Sequence, residues 1–252
     1  MGLVLSLTSR KGGVGKSTLA INLAAAFAAD DDVRVLVVDL DNQATLTQFY
    51  IGSAATEQLP MNSTVAAAFD GAPLSDLIIE AVRPRISLLP ASLAMNLKQE
   101  RCLDLVGLPY DLVLIDTPPD LNAAGAVSAL LSSNCVVSPL VPEPFAVSAV
   151  PSVQRAVVSV GLQNRGLRML GFVVNAKQRV AIHAATEQLL RNSYGPLVFD
   201  AGVTHRVDFK EAALAGQSIQ EYKPRSAAAK EIKGLVDEIT ARLEASMKRS
   251  AA

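Results

Sequence analysis

The chain has 252 residues, half of them hydrophobic and 19% charged, with a net charge of −1, 15 Gly, 13 Pro, 2 Cys and no Trp. A disordered chain needs low hydrophobicity and high net charge, and collagen-like or disulfide-built proteins need far more Gly, Pro or Cys, so these classes are excluded. No apolar run reaches the ~18 residues of a membrane span. The charges at the N-terminus follow its first apolar stretch rather than precede it, so no export signal is read and a soluble, cytoplasmic protein is expected. Cys102 and Cys135 lie in apolar stretches without CxxC spacing and read as two reduced thiols.

In chain order, Leu3–Thr8 reads as a buried strand that runs into Ser9-Arg10-Lys11-Gly12-Gly13. Lys16–Ala29 carries Leu19, Leu23, Ala26 and Phe27 at helical spacing and stops at Asp30-Asp31-Asp32. Val33–Asp39 is a second buried strand, so the opening is a βαβ unit with parallel pairing and a right-handed crossover. Further strands are expected at Ile86–Leu89, Asp111–Asp116, Cys135–Pro139, Met169–Asn175 and Leu197–Phe199. Helices are expected at Asn122–Ser132, Ala146–Val160 and Ile182–Asn192. Strands alternating with helices, and no Pro-, Gly- or Ser-rich linker, indicate a doubly wound, mostly parallel α/β sheet in a single domain over 1–252.

The tail, Ala227 to about Lys248, places Ile232, Leu235, Val236, Ile239 and Leu243 on one helical face. It reads as a final helix docked on the sheet. A membrane-surface helix would prefer Trp or Phe and a more basic polar face. The overall charge hides an asymmetry: residues 1–150 sum to −7 and residues 151–252 to +6. A basic C-terminal surface would attract phosphate backbones, although solvated helix faces are often Lys/Arg-rich.

Gly12-Gly13-Val14-Gly15-Lys16-Ser17-Thr18 follows a strand and opens a helix, the setting of a phosphate-binding loop. Glycines let successive N–H groups turn inward, and the helix N-terminus adds partial positive charge. Lys16 would reach the β- and γ-phosphates and the Ser17 hydroxyl would bind Mg²⁺. Arg10 stands where the usual pattern has its first Gly, and a second lysine, Lys11, follows it. Two lysines crowd like charges together unless one faces a phosphate of its own or another chain.

KGGVGKST at 11–18 resembles the deviant Walker A motif of the ParA/MinD ATPases, a branch of the P-loop NTPases. The resemblance continues through VLVVDLDNQATLT at 35–47, YDLVLIDTPPDL at 110–121, PLVPEPFA at 139–146, GFVVN at 171–175 and FKEAALAGQSIQEYKPRSAAAKEI at 209–232, most like partition ATPases without an N-terminal DNA-binding extension. It implies ATP and Mg²⁺ as ligands. Lys11 is implied to reach across a nucleotide-sandwich homodimer, Asp41 to position the attacking water, and Asp39 to support a switch-like loop and the Mg²⁺ shell. Asp116 ends DLVLID as a Walker B carboxylate would. Read alone, each of these aspartates could equally cap a strand-end loop. Asn175 matches a position that hydrogen-bonds adenine, and an ordinary strand-end turn asparagine reads as well. After Asp41 the family commonly has Pro-Gln-Gly-Asn, whereas this chain has Asn42-Gln43-Ala44-Thr45.

Within the resemblance, partition members bind DNA non-specifically as ATP dimers, and a ParB-like or other cargo adaptor triggers slow hydrolysis. That implies a nucleoid-associated protein with no membrane partner. Candidate DNA contacts are Arg206, Lys210, Lys223, Arg225, Lys230 and Lys233. The family often has arginine where this chain has Asp208. The alternatives are a MinD-like membrane-cycling ATPase, a positioning ATPase for a protein cluster, and a metabolic ligase on the same fold. An iron–sulfur reductase would need two loop cysteines at a dimer axis, which Cys102 and Cys135 do not supply.

Overall fold

The computed structural model describes residues 2–250, with side chains through residue 246. Strands β1 (Leu3–Leu7), β2 (Val35–Asp39), β3 (Ile79–Arg83), β4 (Ile86–Leu89), β5 (Leu112–Asp116), β6 (Cys135–Leu140) and β7 (Arg168–Val174) form one sheet in the order β3-β4-β2-β5-β1-β6-β7. Every neighbouring pair is parallel except the β3–β4 hairpin. The helices are α1 (Lys16–Phe27), α2 (Thr45–Ile51), α3 (Ser53–Gln58), α4 (Val65–Phe69), α5 (Ala124–Ser132), α6 (Ala146–Gly161), α7 (Ala181–Tyr194), α8 (Val207–Leu214), α9 (Ile219–Tyr222) and α10 (Ala227–Ser250). The doubly wound reading holds.

Side chains alternate across each strand, and this alternation sorts the helices. Leu5, Leu7, Val35, Val37, Leu112 and Leu114 face one side and pack with α1 and with Ile232, Leu235 and Ile239 of α10. Val4, Leu36, Val38, Val113 and Ile115 face the other side, against α4 and the 103–110 segment. Beyond β1 the second side continues with Val136, Phe172 and Val174 under α5, α6 and α7. The tail helix therefore spends its apolar stripe in the core, as expected.

Three features depart from expectation. Hairpin strand β3 carries Glu80 and Arg83 and is half exposed, so no hydrophobic run announces it. Its chain reversal uses left-handed backbone at Arg85, φ 60°. Leu197–Phe199 is not a strand: Gly195–Leu197 is a 3₁₀ turn, which takes Leu197 out of extended backbone and leaves an isolated Phe172–Val198 bridge beside β7. Cys102 is exposed, its thiol 3.4 Å from the Leu131 carbonyl, while Cys135 is buried in the sheet. Pro151 lies inside α6 and cannot bond the carbonyl of Val147. Tyr194 supplies the missing donor, its hydroxyl lying 3.3 Å from that oxygen.

Candidate nucleotide site

The strand order reverses around β1, with β5 on one flank and β6 on the other. Such a switch point opens a crevice at the carboxyl ends of the strands. The 10–18 loop leaves β1 at this crevice. Gly13 and Gly15 hold φ of 73° and 86°, which side chains resist. Gly15 is also the N-cap of α1, and no side chain covers the first turn of that helix. Its free N–H groups and positive dipole end face the crevice, as an anion requires.

The two lysines are disposed differently. Lys16 is 7% exposed, and burial lowers its pKa against the opposing pull of Asp116 and Asp41. Lys11 is 45% exposed at the side chain, with Nζ 3.9 Å from Glu143 and 5.4 Å from the centre of the exposed Phe145 ring. One amine sits inside the cradle and the other leans out of it. Arg10 is directed away, its Nη1 3.3 Å from the Ser152 hydroxyl of α6.

The acidic residues meet at adjacent strand ends, where Asp116 is in register with Leu7 on one side and Asp39 on the other. Asp39 is engaged on both oxygens: it accepts from the backbone N–H of Asp41 (3.1 Å), and from the backbone (2.9 Å) and hydroxyl (2.8 Å) of Thr47. It anchors the 40–44 loop and the start of α2. Burial, against those hydrogen bonds, pushes Asp39 up to about 6. Asp116 is fully buried, and neither oxygen is in a well-formed hydrogen bond, although the Ser17 hydroxyl stands close enough to favour its charged form. Burial and the Asp39 charge push it up to about 7, against Ser17 and Lys16.

An orphaned buried carboxylate is rare and calls for an explanation. A divalent cation fits: Asp116 and the Ser17 hydroxyl beside it would hold one. Mg²⁺ keeps waters and takes few protein carboxylates together with phosphate oxygens. Asp41 is buried at the loop, its Oδ1 accepting the N–H of Gln43 at 3.0 Å.

Asn175, at the end of β7, donates from Nδ2 to the Val14 carbonyl at 2.6 Å and so braces the loop. A Cβ on Gly15 would lie 2.4 Å from that nitrogen. The amide oxygen of Asn175 remains open as an acceptor. At the place of the glycine in Pro-Gln-Gly-Asn, Ala44 holds φ 50°, left-handed backbone that Gly adopts more readily, and nothing in the structure explains the alanine there.

Sequence reading missed Thr47, whose hydroxyl both donates to Asp39 and accepts from Ala91 N–H at 2.9 Å. It also missed Thr117, which ties the end of β5 to the start of the loop through the Leu7 carbonyl (2.9 Å) and the Thr8 hydroxyl (3.2 Å). Of the candidate DNA contacts, Arg206 is paired with Glu231 at 2.8 Å. Lys223 is held by Asp208 at 2.6 Å and Glu211 at 2.9 Å. Lys210, Arg225, Lys230 and Lys233 are exposed, and none forms an ion pair among the described residues.

This is the architecture by which P-loop nucleotide-binding proteins cradle a triphosphate. A family model described as an AAA domain matches residues 2–169. The chain is 33% identical to the chromosome-partitioning ATPase Soj of Thermus thermophilus, over 95% of this chain and 96% of that protein. It is 29% identical to the chromosome partitioning protein ParA of Caulobacter vibrioides, over 95% and 94%. Its fold matches a plasmid partition protein of Borrelia burgdorferi bound to AMPPNP with a TM-score of 0.80 at 21% identity, over 96% of this chain and all of that one. The chain belongs to the ParA/MinD family of P-loop ATPases, on its ParA/Soj-like side.

Proposed function

We propose that the chain, acting as one unit over 1–252, is an ATP-dependent partition ATPase. Its ATP-bound homodimer binds DNA non-specifically, and slow hydrolysis, stimulated by a ParB-like cargo adaptor, releases it to segregate a plasmid, chromosome or other cargo. The observation that carries this reading is the division of labour between the lysines. Lys16 lies within the cradle to neutralise the β- and γ-phosphates, and Lys11, half exposed beside Glu143, would leave that weak contact to reach a second copy. Gly12, Gly13, Val14, Gly15, Ser17 and Thr18 offer backbone N–H groups around the phosphates. The Asn175 amide oxygen suits the adenine amine.

Asp116 and Ser17 would hold Mg²⁺, which supplies charge neutralisation at the phosphates, and Asp39 keeps the adjoining loop in place beside it. Asp41 would orient the attacking water. No arginine of the loop faces the cradle, since Arg10 is tethered to Ser152, so basal turnover is slow. The apolar stripe of α10 is consumed by the core, which supports DNA over a membrane as the dimer's track. No helix among the described residues is long and apolar enough to cross a membrane. Of the candidate contacts, Lys210, Arg225, Lys230 and Lys233 are left open to phosphates, and they support nucleoid association.

The test is Lys11→Ala. It retains binding of a fluorescent ATP analogue, because Lys16 and the loop amides remain, and it stays monomeric by light scattering with Mg²⁺ and a non-hydrolysable ATP. The wild type dimerises under the same conditions. A dimer of undiminished affinity in the variant would reject the trans role of Lys11.

A further inference from the structure

The basic C-terminal third does not offer all its charge to a partner. Lys223 follows α9 directly, and its amine is gripped from two sides by carboxylates of α8: Asp208 in the first turn and Glu211 one turn later. Tyr222 adds to the clamp, its ring 5.1 Å from the amine and its hydroxyl 3.5 Å from Glu211. Ser218 and Glu221 close a reciprocal capping box at the start of α9, which fixes the backbone leading to Lys223. The pairing is thus built into an ordered helix–turn–helix. Around it stand the unpaired cations Lys210 on α8, Arg225, and Lys230 and Lys233 one turn apart on α10.

We infer that Asp208 and Glu211 act as an internal stand-in for DNA phosphate, holding Lys223 out of the DNA-binding surface and setting the affinity of that surface low. This rests on the reading that the ATP-bound dimer binds DNA. Two carboxylates at 2.6 and 2.9 Å around one ammonium reproduce the local chemistry of a phosphate contact. A partner that binds through its phosphates must then either leave Lys223 behind or break both contacts. A weak, reversible grip suits a protein that moves over its track.

The experiment measures affinity for a random-sequence duplex by fluorescence anisotropy, with saturating Mg²⁺ and non-hydrolysable ATP, from about 50 to about 200 mM salt. Asp208→Asn with Glu211→Gln frees one lysine per protomer. Each added phosphate contact steepens the log–log salt dependence by about 0.9, so the dimer's slope steepens by about 1.8. Its affinity then falls about 12-fold more than that of the wild type across this salt range, and at the low end it exceeds the wild type by at least that factor. Lys223→Gln alone leaves affinity and slope unchanged, and added to the double variant it removes the gain. Nucleotide affinity and dimerisation are measured alongside and stay at wild-type values.

If the wild type binds DNA and the carboxylate variant shows the same affinity and slope, the latch is overturned while the DNA reading stands. If Lys223→Gln by itself weakens the wild type, Lys223 is already a contact and the latch is likewise overturned. If neither protein binds DNA with ATP, the DNA reading falls and this inference falls with it.

Discussion

Asp116→Asn separates the burden that the nucleotide site places on the fold from what it contributes to chemistry. In the protein this carboxylate is fully buried, without a well-formed hydrogen bond and next to Asp39, and it is pushed up to about 7 from an ordinary value near 4. The folded chain therefore takes up a proton where the unfolded chain has already released one. The stability this provides is present below the unfolded value and is lost as pH rises through about 7. At ~1.4 kcal/mol per pKa unit the three-unit difference amounts to ~4 kcal/mol by about pH 8. Asn cannot ionise, so it escapes that loss. Its amide removes a favourable charge beside Lys16, and part of the shift is shared with Asp39, which leaves a net gain of about 1–3 kcal/mol. For a chain of this size that raises the melting temperature by about 2–12 °C at about pH 8. At about pH 5 the wild-type carboxyl is already protonated, and the two melting curves draw together. Thermal denaturation followed by circular dichroism at both pH values, without nucleotide, checks the prediction. A variant that melts at or below the wild type at about pH 8, or with the same offset at both pH values, would refute the electrostatic reasoning. ATP turnover is lost in the variant under all these conditions, so stability and activity move in opposite directions.

Gly15→Ala loses tight nucleotide binding, because the residue must hold φ 86° and its methyl would press on Asn175 at 2.4 Å. The backbone cost alone is about 1–2 kcal/mol. Titration with a fluorescent ATP analogue reads it, and affinity within about twofold of wild type would show that the loop adapts. Thr47→Val keeps the shape but removes the hydroxyl that serves both Asp39 and Ala91 N–H. Leaving those groups short of partners costs about 1–3 kcal/mol in a urea unfolding curve, and a midpoint shift worth under about 0.5 kcal/mol would show that Thr47 does not anchor the loop.

Much of this site is legible in the chain because its chemistry is local. The glycine loop, Lys16 and Ser17 fall within seven residues of one another, between a strand and a helix that each declare themselves by hydrophobic pattern. Asp116 is legible because it ends an unbroken apolar strand. That Asp39 supports the adjoining loop follows from the resemblance, but its partner Thr47 is not legible, since it lies eight residues on, in a helix whose fully buried Leu46 and Thr47 have no periodicity to distinguish them. Strand β3 escapes for a different reason: an exposed edge needs no apolar run, and its turn uses Pro84-Arg85 rather than a glycine pair. The pairing of Arg206 and Lys223 is likewise invisible to a charge count, because it depends on which helix turns come together. Net charge indicates the kind of surface, and only the fold reveals which cations remain available.

The brace from Asn175 to Val14 spans 161 positions of the chain. A ribosome releases the loop well before it releases β7, which completes the loop's support. The nascent protein thus carries an unfinished nucleotide cradle until β7 has emerged. The same brace lies beyond residue 169, where the matched family segment ends. A fragment cut at that boundary would keep every residue of the loop yet lose the side chain that holds its shape, so trimming toward a minimal ATP-binding piece must stop on the far side of Asn175.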